Sequence, residues 1–169
     1  MRQAYVVAQR GSCPRKRVGA LIVNQAHRVV ASGYNGAPRR QPDCFEVGCD
    51  LREIEGKPSC VRTLHAESNA IDFAGRDAEG CTLYTTVVPC RLCALRIIQA
   101  GILVVYYHEY YRSQGTDSSL ELMLQGGVVL QQLGYPNAVV IGTYADPEAA
   151  VGTYADLVRT YASDPEPGR

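Results

Sequence analysis

The sequence carries no excess of charge of either sign: 17 basic residues stand against 17 acidic ones in a chain of 169. A general nucleic-acid binder has a basic surplus to meet phosphate, so the balance argues against that class. It leaves room for a local basic pocket that takes one phosphate. Nor is there a basic stripe interleaved with aromatics of the kind that tracks single strands. Apolar runs stay short. The longest, GILVVYY, is strand-sized and far below the ~20 residues that cross a bilayer, so no membrane partner is expected. No secretory signal is read at the start, which makes a cytoplasmic location the expectation. In a reducing compartment the 7 cysteines are read as metal ligands, nucleophiles or core residues before disulfides.

What is present suits one domain, since a chain of this length buries roughly 70% of its unfolded surface on folding. AYVVAQRG reads as the end of a short helix stopped by Gly11, and VGALIVN with RVVASGYN as a hairpin joined by QAHR. Residues 36–59 hold Pro, Gly, Cys and charge without periodicity and are expected to form a long loop, ordered by itself or held by metal. The apolar spacing predicts a helix over 65–74 ending at Gly75, a strand at CTLYTTV, and a helix over 90–100 closed by Gly101. ILVVYY has the continuous apolar character of a parallel strand covered on both faces. A short helix at SSLELMLQGG and a fifth strand at VVLQQL follow. The expected architecture is a mixed α/β sandwich with a five-stranded sheet. Residues 1–135 read as the catalytic unit and 136–169 as a C-terminal extension, with a helix over 147–161 and a frayed tail. GTYAD occurs there twice, at 142–146 and 152–156, too few copies for a repeat architecture.

Chemistry concentrates in two stretches. LHAESNA places His65 and Glu67 two apart at a helix start, and TVVPCRLCA places Cys90 and Cys93 three apart on one helix face. Two thiolates and an imidazole are preferred zinc ligands, and a three-ligand site leaves a fourth position for water. The free N–H groups and positive end of a helix favour a bound thiolate. Glu67 is the candidate proton shuttle for that water. Residues two apart in a regular helix point to nearly opposite faces, so the pair works together only if His65 lies in an irregular first turn. His-x-Glu followed by Pro-Cys-x-x-Cys is the signature of zinc-dependent nucleobase deaminases.

Taken together, CPRKRVGALIVN, GYNGAP, HAESNAI, LYTTVVPCRLCALRIIQAGI and VVYY resemble the deoxycytidylate (dCMP) deaminase family of the cytidine deaminase superfamily, over roughly residues 8–130. The resemblance implies a cytidine deaminase-like αβα sandwich that converts dCMP to dUMP and ammonia, in a homo-oligomer that is commonly a hexamer. It implies catalytic zinc on His65, Cys90 and Cys93 with Glu67 as shuttle, Asn35 bonding the deoxyribose, and Val18 to Ala20 lining the base pocket. The backbone N–H of Cys90 or Ala66 would help hold the base. It also implies activation by dCTP and inhibition by dTTP at a regulatory site near GYNGAP, for which Gly33, Gly36 and Ala37 are candidates.

Further residues are read from chemistry. Arg17, Arg39, Arg40 and Arg112 are candidates for the 5′-phosphate because the guanidinium fork matches phosphate oxygens, Arg112 first on position; each is otherwise a solvated surface charge. Tyr110 or Tyr111 borders the nucleotide or simply packs. Cys13, Cys44, Cys49 and Cys60 surround the long loop and could close a second, structural zinc site; the other reading is a set of separate buried thiols. Cys81 is expected in the core. Val87 and Val88 stand where relatives often have His or an aromatic, which leaves room for dCTP, CMP or a 5-modified dCMP as substrate. A nucleic-acid base is the less favoured alternative, and a non-catalytic zinc scaffold is disfavoured because it has no use for Glu67.

Overall fold

The computed structural model describes the chain except residues 55, 111–115, 134–139 and 142–169. The expected helix over 147–161 and the repeated GTYAD lie outside the described residues, as do Arg112 and Tyr111.

A first helix, α1 (Arg2–Ala8), precedes the hairpin β1 (Gly19–Val23) and β2 (Val29–Tyr34). Asn24 shapes the hairpin turn by accepting from the backbone N–H groups of Ala26 and Arg28 at 3.1 and 3.0 Å. Helix α3 (Ala66–Ala74), strand β5 (Thr82–Val87), helix α4 (Arg91–Gln99), strand β6 (Val104–Glu109), helix α5 (Thr116–Gln125) and strand β7 (Val129–Gln132) follow the order expected from sequence. The helix stops are the glycines that the pattern indicated, Gly75 at φ 57° and Gly101 at φ 70°, a region open to glycine at little steric cost. The sheet order is β2-β1-β5-β6-β7, with a two-residue strand β8 (Val140–Ile141) added antiparallel at the β7 edge. β1 runs antiparallel to β2 and β5, while β5, β6 and β7 are parallel.

Alternation along the strands sorts the two faces. Ala20, Ile22, Leu83, Val105, Tyr107 and Leu130 are wholly buried and form the centre of the core, under α3, α4 and α5. α1 covers the opposite face at β1. Both helices come close enough that the strand must offer glycine. A Cβ on Gly19 would stand 2.1 Å from the Ala4 carbonyl, and one on Gly33 would stand 2.2 Å from the Ala66 carbonyl and 2.4 Å from the Ala70 nitrogen. Cys81 is buried as expected and donates to the Asp77 carbonyl at 3.1 Å.

Two expectations are corrected. β6 is not covered equally on both faces: among the described residues, Val105 and Tyr107 are buried, whereas Val104 and Tyr106 on the α1 side are half-exposed. Tyr106 stacks there on Tyr84 with ring centroids 4.9 Å apart, so aromatic pairing between neighbouring strands supplies the apolar character that suggested full burial. The stretch 36–59 is not a plain loop. It contains a one-turn helix, α2 (Cys44–Val47), and a separate hairpin, β3 (Leu51–Ile54) with β4 (Lys57–Cys60). α2 forms because Asp43 accepts from the Phe45 and Glu46 backbone N–H groups while Glu46 accepts from that of Asp43, a capping box. Gly56, at φ 75°, lies between the two hairpin strands.

Gly33→Ala is expected to destabilise the protein by about 1–3 kcal/mol, because backbone atoms of α3 cannot step aside as a side chain can. A thermal melt checks this against Ser32→Ala on the exposed side of the same strand, expected within about 0.5 kcal/mol of the parent.

Candidate active site and metal centre

Two helices begin at one place. His65 is the N-cap of α3 and Cys90 the N-cap of α4, and both have extended backbone, ψ 152° and 170°. This is the irregular first turn that the His-x-Glu pair requires. From outside the helix His65 turns back so that its Nδ1 lies 3.3 Å from Cys90 Sγ and 3.5 Å from Cys93 Sγ. Tetrahedral zinc with Zn–S near 2.3 Å and Zn–N near 2.0–2.1 Å needs N···S separations of about 3.5 Å. The three donors fit that ion and leave one coordination position open, and His65 itself remains solvent-accessible.

Neighbouring elements hold these starts in place. Leu64, just before the histidine, exchanges two backbone hydrogen bonds with Gly36 at 3.1 and 2.9 Å. Asn69 of α3 donates to the Tyr34 carbonyl at 2.8 Å. On the other side Val88 N–H donates to the Glu109 carbonyl at 2.9 Å, and the Ser119 hydroxyl to the Pro89 carbonyl at 2.8 Å. The Pro-Cys turn is thereby fixed at the C-terminal ends of β5 and β6, where ligands of parallel sheets collect.

Glu67 is buried within the first turn of α3, with Oε2 3.7 Å from Cys93 Sγ. Burial pushes its carboxyl up to about 7, against the pull of the His65 charge and a backbone hydrogen bond. The group is poised to hold or release a proton near neutrality. The Cys90 thiol is drawn down to about 4, chiefly by the hydrogen bond from Cys93 and, against burial, by His65. Cys93 moves up, by donating that bond and by burial. His65 rises to about 9 through its bond to Cys90.

His65, Glu67 and Cys90 line a cleft of about 400 Å³, with Cys93 buried behind them. Val18, Ala66, Val87, Val88 and Leu92 supply its apolar lining, and Asn35 lines it as well. Both ends of the Asn35 amide are engaged by the preceding loop: Oδ1 accepts from Val18 N–H at 2.7 Å, and Nδ2 donates to the Lys16 carbonyl at 2.8 Å. Ala20 is in the core beneath the sheet rather than in the cleft wall. Arg17 also turns away, stacking over Phe45 at 5.3 Å and donating to the Gln9 carbonyl at 3.3 Å. The cations that do line the cleft are Arg15, Lys16 and Arg91, none of which was singled out from sequence. Arg15 and Lys16 belong to the same PRKR run, so the composition pointed to the right segment. Which of its side chains faces inward depends on the turn that Asn35 holds. Tyr110 packs against the core, and Gly33 is buried beneath α3. Gly36 and Ala37 sit on the loop that pairs with Leu64, where Ala37 N–H donates to Ser12 Oγ at 3.4 Å.

A second donor cluster borders the first. The sulfurs of Cys13, Cys44, Cys49 and Cys60 all lie within 4.8 Å of one another, with Cys13–Cys49 at 3.7 Å and Cys44–Cys60 at 3.6 Å. Four thiolates around tetrahedral zinc stand about 3.8 Å apart, so this set also fits the ion. Burial raises the Cys44 and Cys49 thiols. At Cys60 burial acts the same way but is outweighed by the Arg62 backbone N–H and the other three thiols, and the net direction is down.

A soft His-Cys-Cys donor set beside a buried carboxylate, at the open end of a mixed sheet, defines a metal centre of the kind that activates water. The chain belongs to the cytidine and deoxycytidylate deaminase family, whose zinc-binding region matches residues 1–109. It is 38% identical over 143 residues to ComE operon protein 2 of Bacillus subtilis, covering 83% of this chain and 72% of that protein. The human deoxycytidylate deaminase is 36% identical over 135 residues, covering 78% and 76%. The deoxycytidylate deaminase of Saccharomyces cerevisiae is 38% identical over 149 residues, covering 83% of this chain but 46% of the yeast protein, so the chain spans less than half of that relative. Among solved structures, the dCMP deaminase of cyanophage S-TIM5 in complex with dCMP and dUMP superposes with a TM-score of 0.65 at 30% identity, covering 78% of this chain and 92% of that one. Among the described residues no helix is long and apolar enough to cross a membrane.

Zinc affinity at His65, Cys90 and Cys93 is expected to fall as pH falls. The Cys93 proton, held more tightly than in a free thiol, must leave before the sulfur can bind, so acid competes with the metal. Competition with a chromophoric chelator between pH 6 and 8 measures it, and a pH-independent affinity would contradict the ligand assignment.

Proposed function

We propose that the chain hydrolyses the exocyclic amine of dCMP, giving dUMP and ammonia. The observation that carries the reading is the convergence of His65, Cys90, Cys93 and buried Glu67 beside a cleft that Arg15, Lys16 and Arg91 also line. The ligands in the solved cyanophage relative support the choice of nucleotide.

When bound, zinc brings the pKa of a coordinated water down to about 7 and makes it a nucleophile at neutral pH. Glu67 takes the first proton of the attacking water and passes it to the pyrimidine ring nitrogen. It then takes the second, from the hydroxyl now on the ring carbon, and delivers it to the amine, which leaves as ammonia while the carbonyl of dUMP forms. Its burial keeps the carboxyl near neutrality, which suits a group that must both accept and donate. The backbone of Lys16 to Val18, held by Asn35, forms one side of the base pocket, with Val87 and Val88 against it. Arg15, Lys16 and Arg91 are the candidates to meet the 5′-phosphate. Lys16 forms an ion pair with Glu109, so it is the most constrained of the three.

Residues 1–135 make up the proposed catalytic unit and 136–169 an extension to it. The family match to residues 1–109 supports that division. A homo-oligomer and regulation by dCTP and dTTP belong to the same proposal. An effector bound beside Gly36 and Ala37 would act on His65 through the Gly36–Leu64 pairing.

Ammonia release from dCMP, CMP, dCTP, deoxycytidine, 5-substituted dCMP and a cytosine oligonucleotide tests the substrate, with and without dCTP and dTTP. dCMP is expected to lead, with a sigmoidal rate curve that dCTP makes hyperbolic. Preference for a modified nucleotide would assign the difference to Val87 and Val88. Glu67→Gln is expected to keep its zinc and its fold while losing about 10²–10⁴ or more in turnover. Near-normal turnover in that variant would remove the proposed mechanism. Cys93→Ala is expected to lose the metal itself.

A further inference from the structure

The β3–β4 hairpin has no core of its own. Every residue of β3 is exposed, including Leu51 and Ile54, and its two strands form a sheet separate from the main one. An isolated two-stranded hairpin is marginal in water. Yet this hairpin lines the same cleft as His65 and Glu67, through Ile54, Pro58, Ser59 and Cys60. Arg15, one of the rim cations, is tied to it by donating to the Pro58 carbonyl at 2.8 Å.

The four-cysteine cluster joins this wall to the rest of the protein. Cys60 ends β4, Cys44 is the first residue of α2 and Cys49 follows that helix just before the hairpin, and Cys13 comes from the segment after α1, next to Arg15 and Lys16 of the cleft lining. Two of the four, Cys13 and Cys60, themselves line the cleft. A divalent ion bound by four thiolates would connect these three chain segments, with the energy that a structural zinc site contributes to folding.

We propose that a metal ion held by Cys13, Cys44, Cys49 and Cys60 sets the substrate pocket by fixing the β3–β4 hairpin as its wall, so that this second ion governs nucleotide binding and leaves the chemistry at Glu67 untouched. The inference rests on the deamination reading above for its choice of nucleotide. Its structural content stands apart from that reading. With the ion in place, Ile54 and Ser59 face the bound nucleotide and Arg15 is held at the rim. Without it the hairpin leaves the cleft and takes the Arg15 anchor with it.

The test uses Cys49→Ser, which removes one donor that does not itself line the cleft. Zinc content is expected to fall from about two to about one per chain. Amide hydrogen exchange over residues 51–60 should accelerate while α3 and α4 keep their protection. KM for dCMP should rise about tenfold or more with kcat within about threefold, the signature of lost binding rather than lost transition-state contact. Cys49→His, which retains a zinc donor, should restore the second zinc, the slow exchange and the low KM. Retention of two zincs by Cys49→Ser would show that the four cysteines do not hold the ion and would overturn the proposal. Loss of one zinc with unchanged exchange and KM would leave a structural site that does not shape the pocket, and would overturn it equally. A fall in kcat at constant KM would do the same. Should Cys49→Ser not fold, the parent enzyme is stripped of zinc stepwise with chelator while turnover reports the ion at His65, Cys90 and Cys93. Exchange over 51–60 must rise with loss of the other zinc equivalent, in whichever order the two leave. A rise that follows turnover instead, or no rise once both have gone, contradicts the proposal. Zinc content and exchange read the wall even if dCMP proves not to be the substrate, so the two readings fail separately.

Discussion

The site depends on a meeting of two helix starts. An imidazole and two thiols must come within about 3.5 Å of one another, and a carboxylate must stand beside them without becoming a ligand. The fold achieves this by giving α3 and α4 the same kind of beginning, an N-cap ligand in extended conformation. In α3 the cap turns away from the helical path, so that His65 and Glu67, nearly opposed in a regular helix, both reach the same point. In α4 the cap and the residue three further on share a face, so Cys90 and Cys93 need no such device. Everything else around the centre serves to locate the two caps: the Gly36–Leu64 exchange for one, the Val88–Glu109 and Pro89–Ser119 bonds for the other.

This division explains what the sequence made legible. Periodicity and helix stops identified the sheet and its covering helices because those elements bury one face and end in glycine. The candidate zinc donors that the structure brings together were legible because few residue types bind that ion and the Cys90–Cys93 and His65–Glu67 spacings are local. The region 36–59 was read as a loop because its structure comes from side-chain and thiol chemistry instead of hydrophobic periodicity. The Asp43-x-x-Glu46 capping box was visible in the sequence and would have located α2, whereas β3–β4 buries no apolar stripe to detect. Arg17 was favoured over Arg15 and Lys16 because residue type alone cannot say which members of a basic run face inward. Tertiary hydrogen bonds at Asn35 decide that, and they connect residues 17 and 19 positions apart.

The seven cysteines separate into three physical roles that composition alone leaves mixed. Cys81 behaves as a small apolar residue in the core. Cys90 and Cys93 are paired with a histidine that keeps their site open on one side. The remaining four gather with no other donor type, which suits a closed site whose contribution is mechanical. The two clusters meet along one cleft, since Cys13 and Cys60 of one and Cys90 of the other all line it. An open donor set and a closed one thus border the same space, through different elements of the fold.

The glycines at positions 19 and 33 place the β1–β2 hairpin between main-chain atoms of α1 on one face and α3 on the other. At Gly33 the atoms in contact belong to Ala66 and Ala70, the first of which lies between His65 and Glu67. The height of the zinc-binding histidine above the sheet is thus set by peptide against peptide, with no side chain between them as a spacer. A core side chain elsewhere can be enlarged or trimmed without entering that contact. The reach of the imidazole toward the two thiols is therefore a property of the main chain, and resizing the cleft wall at Val87 or Val88 leaves it as it was.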